Sequence, residues 1–191
     1  MLETIRNAWK TQDLRKKILY TLFIIVIFRI GSVIPAPFLD ASVIAEWMGT
    51  NATNGNFLNY LDTLTGGALS KATIFSLSIT PFINASIIIQ LLTYAIPPLE
   101  RLSKEGTEGR KKIDKISAFV SLALGIFMSF AYYLTMRNAG AVTYTTGWEG
   151  VFAAAAIMLV FIAGSTLIVW LGNRINENGV GNGVSIILFA G

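Results

Sequence analysis

TGGALSKATIFSLSITPFINASIIIQLLTYAIPP (residues 65–98) opens on the glycine pair Gly66–Gly67 and closes on the proline pair Pro97–Pro98. From Ala72 to Leu99 no residue is charged, a length sufficient to cross a bilayer. A plain anchor has little use for Thr73, Ser76, Ser78, Thr80, Asn84, Ser86, Gln90 and Thr93, or for Pro81 inside the run. The stretch reads as a membrane helix that lines something.

The rest of the chain agrees with a membrane setting. Of its 191 residues 53% are hydrophobic and 14% charged, well below the charged quarter usual in soluble domains. Cysteine and histidine are both missing, which removes thiolate and imidazole chemistry, the usual metal ligands and the usual proton shuttle. The net charge of +4 fits cytoplasmic loops rich in Lys and Arg better than nucleic acid.

Residues 1–17 are basic, and Leu2, Ile5 and Trp9 fall at helical spacing, which predicts an amphipathic surface helix. Residues 18–191 form the transmembrane part. Spans are expected at about 18–34, 72–96, 116–136 and 150–172, with a fifth beginning at 184–191. Arg29 lies near the far end of the first span and reads as a snorkelling side chain. Residues 38–60 read as a polar connection, followed by a short apolar patch over 57–69. Trp148 and Trp170, 22 residues apart, lie about 33 Å apart on a helix and suit the two interfaces. With the N-terminus inside, twelve Lys and Arg fall on the cytoplasmic side and two, Lys71 and Arg137, outside. That asymmetry predicts a cytoplasmic N-terminus. The eight residues from Val184 give about 12 Å of helix, too little to cross. The expectation is a fragment, or a span that another polypeptide completes.

On a helix through 72–96, Ile79, Ile83, Ser86, Gln90 and Thr93 share one face. Apolar residues at mid-depth with polar ones on the cytoplasmic side describe an apolar neck above a wet vestibule. Thr73, Ser76, Thr80 and Asn84 form a second stripe, which interhelical hydrogen bonding would also explain. Val184 and Leu188, four apart after a GVGNG turn, repeat the apolar spacing.

Four stretches carry a resemblance: FRIGSVIPAP (28–37), TGGALSKATIFSLSITPFINASIIIQLL (65–92), LERLSKEGTEGRKKI (99–113) and WLGNRINENGVGNGVSIILFAG (170–191). Over about two fifths of the chain, in order, they resemble the N-terminal half of the SecY family of protein-conducting channels. The resemblance implies an all-α polytopic fold, the five-helix half of a clamshell with a short re-entrant plug helix. It implies a pore ring at Ile79, Ile83, Val184 and Leu188, the last two where the family favours isoleucine. It implies a lateral gate at Asn84, Ile87 and Ile88, Asn84 standing where a smaller polar residue is common. The plug falls at about 57–71, with Phe57, Leu58, Leu61, Leu64, Gly66, Gly67 and Leu69. A cytoplasmic docking loop would present Arg101, Lys104, Arg110, Lys111 and Lys112. Implied partners are SecE, SecG, the SecA motor or the ribosome, signal peptides and translocating chains, the C-terminal half of SecY and membrane lipids, with no nucleic acid and no cofactor. The implied location is the bacterial plasma membrane. The implied function is translocation of unfolded secretory proteins and insertion of membrane proteins, with no transport expected from this chain alone.

Two other classes fit the residues. A secondary transporter would also use broken helices and midplane polar groups, but no acid or histidine lies in a span to bind a coupling ion. A non-transporting fragment or assembly subunit would keep its polar face for a partner. An enzyme is not expected: carboxylates lie in loops and tails, and no nucleophile has a base beside it.

Overall fold

A computed structural model describes residues 11–51, 62–63 and 65–191, except the side chains at 50, 51, 107 and 110. Phe57, Leu58, Leu61 and Leu64 of the expected plug, the surface helix over 1–10 and the Arg110 side chain lie outside the described residues.

Among the described residues seven helices follow one another: α1 (Gln12–Gly31), α2 (Ala41–Asn51), α3 (Thr80–Ala95), α4 (Pro97–Lys104), α5 (Thr107–Asn138), α6 (Gly147–Asn178) and α7 (Gly183–Ala190). No strand occurs among the described residues. Among these residues two helices are long and apolar enough to cross a membrane, α5 from Lys111 and α6, and α3 with α4 makes a third as a bent pair. The apolar part of α1, from Ile18 to Gly31, gives about 21 Å of helix and leaves the turn up to Pro35 to finish a crossing. It exposes Leu22, Phe23, Val26 and Ile30 on one side and buries Ile24 and Phe28 on the other. Exposed apolar side chains are also spread along α5 and α6, the surface a lipid-facing bundle presents.

The helix expected over 72–96 begins only at Thr80. Residues 65–79 form a chain of tight turns, with Ala72 (φ 48°) and Ser78 (φ 49°) in the left-handed region. Pro81 therefore stands in the first turn of α3, where its missing N–H costs nothing, and does not break a helix. The other end follows the sequence reading. Ile96, before Pro97, is extended (φ −111°, ψ 112°), as the proline ring demands of its neighbour, and the axis bends by 101° into α4.

The connection over 38–60, read as an irregular loop, contains α2. Asp40 caps it, accepting the Ser42 amide at 2.9 Å and the Ser42 hydroxyl at 2.5 Å, and Ile44 and Met48 bury its inner face. The charged stretch 100–115 is also helical: α4, a turn at Gly106 and the first turns of α5. The fourth span, expected to end at about 172, continues to Asn178, so its connection to the next helix shrinks to 179–182.

The connections at the end of the bundle away from α4 are knitted by short antiparallel pairings. Ala36 N–H donates to the Ala72 carbonyl (2.8 Å) and Ile74 N–H to the Ile34 carbonyl (3.1 Å). Asp40 N–H donates to Ala141 (2.9 Å) and Thr143 N–H to Phe38 (3.1 Å). Two apolar cores result. The outer one gathers Ile44, Met48, Leu69, Leu77, Met136 and Phe161. The inner one gathers Ile24, Phe28, Phe75, Ile79, Ile168 and Ile187.

Candidate functional site

The irregular segment 65–79 positions everything around it. Much of its backbone is buried in the protein, away from water, so side chains of the segment and its neighbours supply the hydrogen bonds. The Ser76 hydroxyl lies 2.6 Å from the Thr73 carbonyl and 3.0 Å from that of Ala68, and the Thr73 hydroxyl donates to Ala68 at 3.3 Å. Asp62 accepts the Ser70 amide at 2.8 Å, and the Tyr132 hydroxyl of α5 donates to the Leu69 carbonyl at 3.1 Å. Thr73 and Ser76 are both buried. They serve the segment's own carbonyls, which corrects the helical reading of Thr73 and Ser76; Thr80 and Asn84 do lie on α3.

Two glycines let helices close on this segment. A Cβ on Gly31 of α1 would lie 2.2 Å from the Phe75 ring, and one on Gly164 of α6 would lie 2.0 Å from the Ile74 carbonyl oxygen. Phe28 stacks on Phe75 at 5.7 Å between centroids. The segment is thus gripped from both sides and delivers Ile79 to the start of α3.

Ile79 is fully buried in the inner core, and Ile83, Val184 and Leu188 are half-buried against the same cluster. Residues 105 positions apart in the chain thereby meet in one apolar patch. α7 is set there by its cap and its turn. Asn182 accepts the Val184 and Ser185 amides at 3.0 and 3.3 Å, and Asn176 accepts the Gly183 amide at 2.7 Å. The Val180 amide donates to the Thr21 hydroxyl of α1 at 3.1 Å. Gly183 lies so near α6 that a Cβ would sit 2.0 Å from the Gly172 carbonyl oxygen. The GVGNG turn is a close-packed joint of three helices. Thr21 and Asn176, which sequence reading missed, hold it; the Asn182 cap four residues after a helix end was the signal available.

The other face of α3 is uncovered. Asn84, Ile87, Ile88 and Leu91 are exposed, Ile87 at 50% and Leu91 at 64%. Below them Gln90 and Thr93 line a cavity of about 540 Å³, walled by Tyr94, Glu100, Ser103 and Ile113 of α3, α4 and α5. The Thr93 hydroxyl is turned to the Ile89 carbonyl (2.7 Å), and Ser86, half-buried, stands above the cavity without lining it. Gly66 and Gly67, both with positive φ, and buried Leu69 shape the first turns of the segment, where Gly66 packs against Gly191. On α4 and α5, Arg101, Lys104, Lys111 and Lys112 are exposed, with Lys104 paired to Glu100 and Lys112 to Glu105 at 3.7 Å.

Long exposed-apolar helices, a bent third span and an internally bonded irregular segment define a multi-pass helical membrane protein. The chain belongs to the SecY family, whose sequence profile matches residues 73–191. It is 38% identical to the protein translocase subunit SecY of Streptomyces scabiei over 99% of this chain and 45% of that protein. Identity to the SecY of Thermotoga maritima is 36%, over 100% of this chain and 45% of that one. The chain thus spans a little under half the length of these relatives. Among solved structures, a protein-conducting channel and Sec61 in the canine ribosome-channel complex from the endoplasmic reticulum each match with a TM-score of 0.65. Each match covers 95% of this chain and 37% of the other at 18% identity, which establishes the shared fold.

Proposed function

We propose that the chain is one wall of a protein-conducting channel, through which unfolded secretory proteins cross and membrane segments leave sideways into lipid. The observation that carries the reading is the meeting of Ile79, Ile83, Val184 and Leu188 on one apolar patch, beside the uncovered Asn84–Ile87–Ile88 face of α3. Three half-buried apolar side chains packed on one cluster form part of a neck that excludes water and ions when empty. The Gln90–Thr93 cavity is the vestibule below it, and the turn at Gly66–Gly67 is the hinge of the plug. Burial of Ile79 makes it the foundation of the neck, with Ile83, Val184 and Leu188 at its surface.

The N-terminus is cytoplasmic in this proposal. The basic start of α1, the α4–α5 hairpin and Arg174 at the end of α6 then share the inner side, as the positive-inside bias asks. The membrane is the bacterial plasma membrane, and Arg101, Lys104, Lys111 and Lys112 form the face for SecA or the ribosome. SecE, SecG and the C-terminal half complete the assembly.

A single cysteine at Ile83, in a channel assembled with the remaining half, tests the neck. It is expected to crosslink to a secretory chain arrested in transit, and a cysteine at exposed Phe127 on α5 is not. Crosslinking at 127 with none at 83 would remove Ile83 from the path.

A further inference from the structure

Arg29 is the one charged residue in the apolar part of α1, and it is exposed on the side of the helix that faces away from both cores. Around it lies an open groove of about 660 Å³, walled by Ile25, Val26, Ile30, Val33, Ile34 and Pro35. Among the described residues its guanidinium meets no carboxylate; the ion pairs there are Glu100–Lys104, Glu105–Lys112 and Arg174–Glu177. A bare cation against hydrocarbon is expensive, so a group of opposite charge should reach it. Arg29 stands two residues before the end of α1 at Gly31, within reach of the interface for so long a side chain.

We propose that this groove is a binding site for a single phospholipid. Its phosphate takes the paired N–H donors of Arg29, and one acyl chain lies along Ile25, Val26 and Ile30. A planar guanidinium matches two phosphate oxygens at once, which a lone methylene wall or an ammonium does not. The groove is formed by one helix and the turn after it, so it is shallow and open to the bilayer. A carboxylate on a neighbouring helix would itself have to be brought to this depth, whereas a phosphodiester is already there. The inference rests on α1 lying in the membrane and is independent of the proposed channel role.

The test is native mass spectrometry of the full chain in mild detergent with phosphatidylglycerol. Arg29→Gln is expected to weaken retention of one lipid about tenfold, the scale of a lost charge-assisted hydrogen bond. Val26→Trp, which fills the apolar track and leaves the charge, is expected to lose the same lipid, while Lys71→Gln keeps it. A glycosyl diacylglycerol, with tails and no phosphate, should be held weakly, and inorganic phosphate should not displace phosphatidylglycerol. Alkali extraction of the same chain from membranes reports separately whether α1 is inserted. Equal retention by wild type and both folded variants would overturn the site. So would displacement by inorganic phosphate alone, or a polypeptide carboxylate found crosslinked at position 29. If Arg29→Gln does not fold, Val26→Trp and the phosphate-free lipid decide.

Discussion

Ser76 shows how a polar residue at membrane depth is used. Its hydroxyl is shared between the carbonyls of Thr73 and Ala68, both held away from water. Ser76→Ala leaves these acceptors short and is expected to cost about 1–3 kcal/mol. Thr166→Val, whose exposed hydroxyl only repeats a bond to the helix carbonyl at Ile162, is expected to stay within about 0.5 kcal/mol. Thermal unfolding in detergent measures both, and equal melting temperatures would contradict the role given to Ser76. At the start of α2, the Ser42 hydroxyl and amide hold the Asp40 carboxyl below its ordinary value of 3.8. A lowered folded value means that the cap on α2 is complete above 3.8 and is lost as pH falls through the folded midpoint below it. The Ser42 amide resonance should therefore titrate with a midpoint under 3.8, and a midpoint at or above that value would mean the cap does not form.

Among the elements, the irregular segment 65–79 decides the packing, and the glycines facing it are the sensitive positions. Gly164→Ala puts a methyl group where the Ile74 carbonyl oxygen is, a backbone atom that cannot rotate away. It is expected to destabilise by about 1–3 kcal/mol. Gly49→Ala, in α2 with open space around it, is expected to stabilise by up to about 1 kcal/mol. Paired melting curves check the contrast; a neutral Gly164→Ala would mean that α6 does not grip the segment. This element also marks the limit of what could be read in advance. Long uncharged apolar runs located α3, α5 and α6, because a membrane-crossing helix needs that length of apolar sequence. The proline pair marked the end of α3 at about Ile96, because the effect of proline is local. The uncharged run 72–79 carried the same signal by composition alone. Its Ser and Thr instead bond nearby carbonyls, a local alternative to the helix that composition does not register. The α2 helix and the helical form of 100–115 were hidden for the opposite reason: polar sequence suggests a loop until a cap and a tertiary face are seen.

Across the whole molecule, the two faces of α3 are unequal. One is packed on α5 and the inner core; the other shows Asn84, Ile87, Ile88 and Leu91. Such a row on a lipid-facing helix would be ordinary, but Asn84 has no use against hydrocarbon and the Gln90–Thr93 cavity opens just below it. The chain matches a little under half of its relatives' length, so the proposed channel needs a second wall, and this face is where it would close. Ile88→Cys, in vesicles carrying this chain alone, is then expected to react readily with a membrane-permeant maleimide. Co-expression with the C-terminal half of a SecY relative should slow that reaction, because the facing helices cover position 88. A cysteine at Phe119 on α5, 75% exposed, should react at the same rate in both preparations, which separates covering of the seam from a general change in access. The same pairing is expected to be required for transport of a secretory protein into the vesicles. An unchanged rate at 88 in a complex that co-purifies would place the junction between the halves elsewhere and leave α3 as a lipid-facing helix.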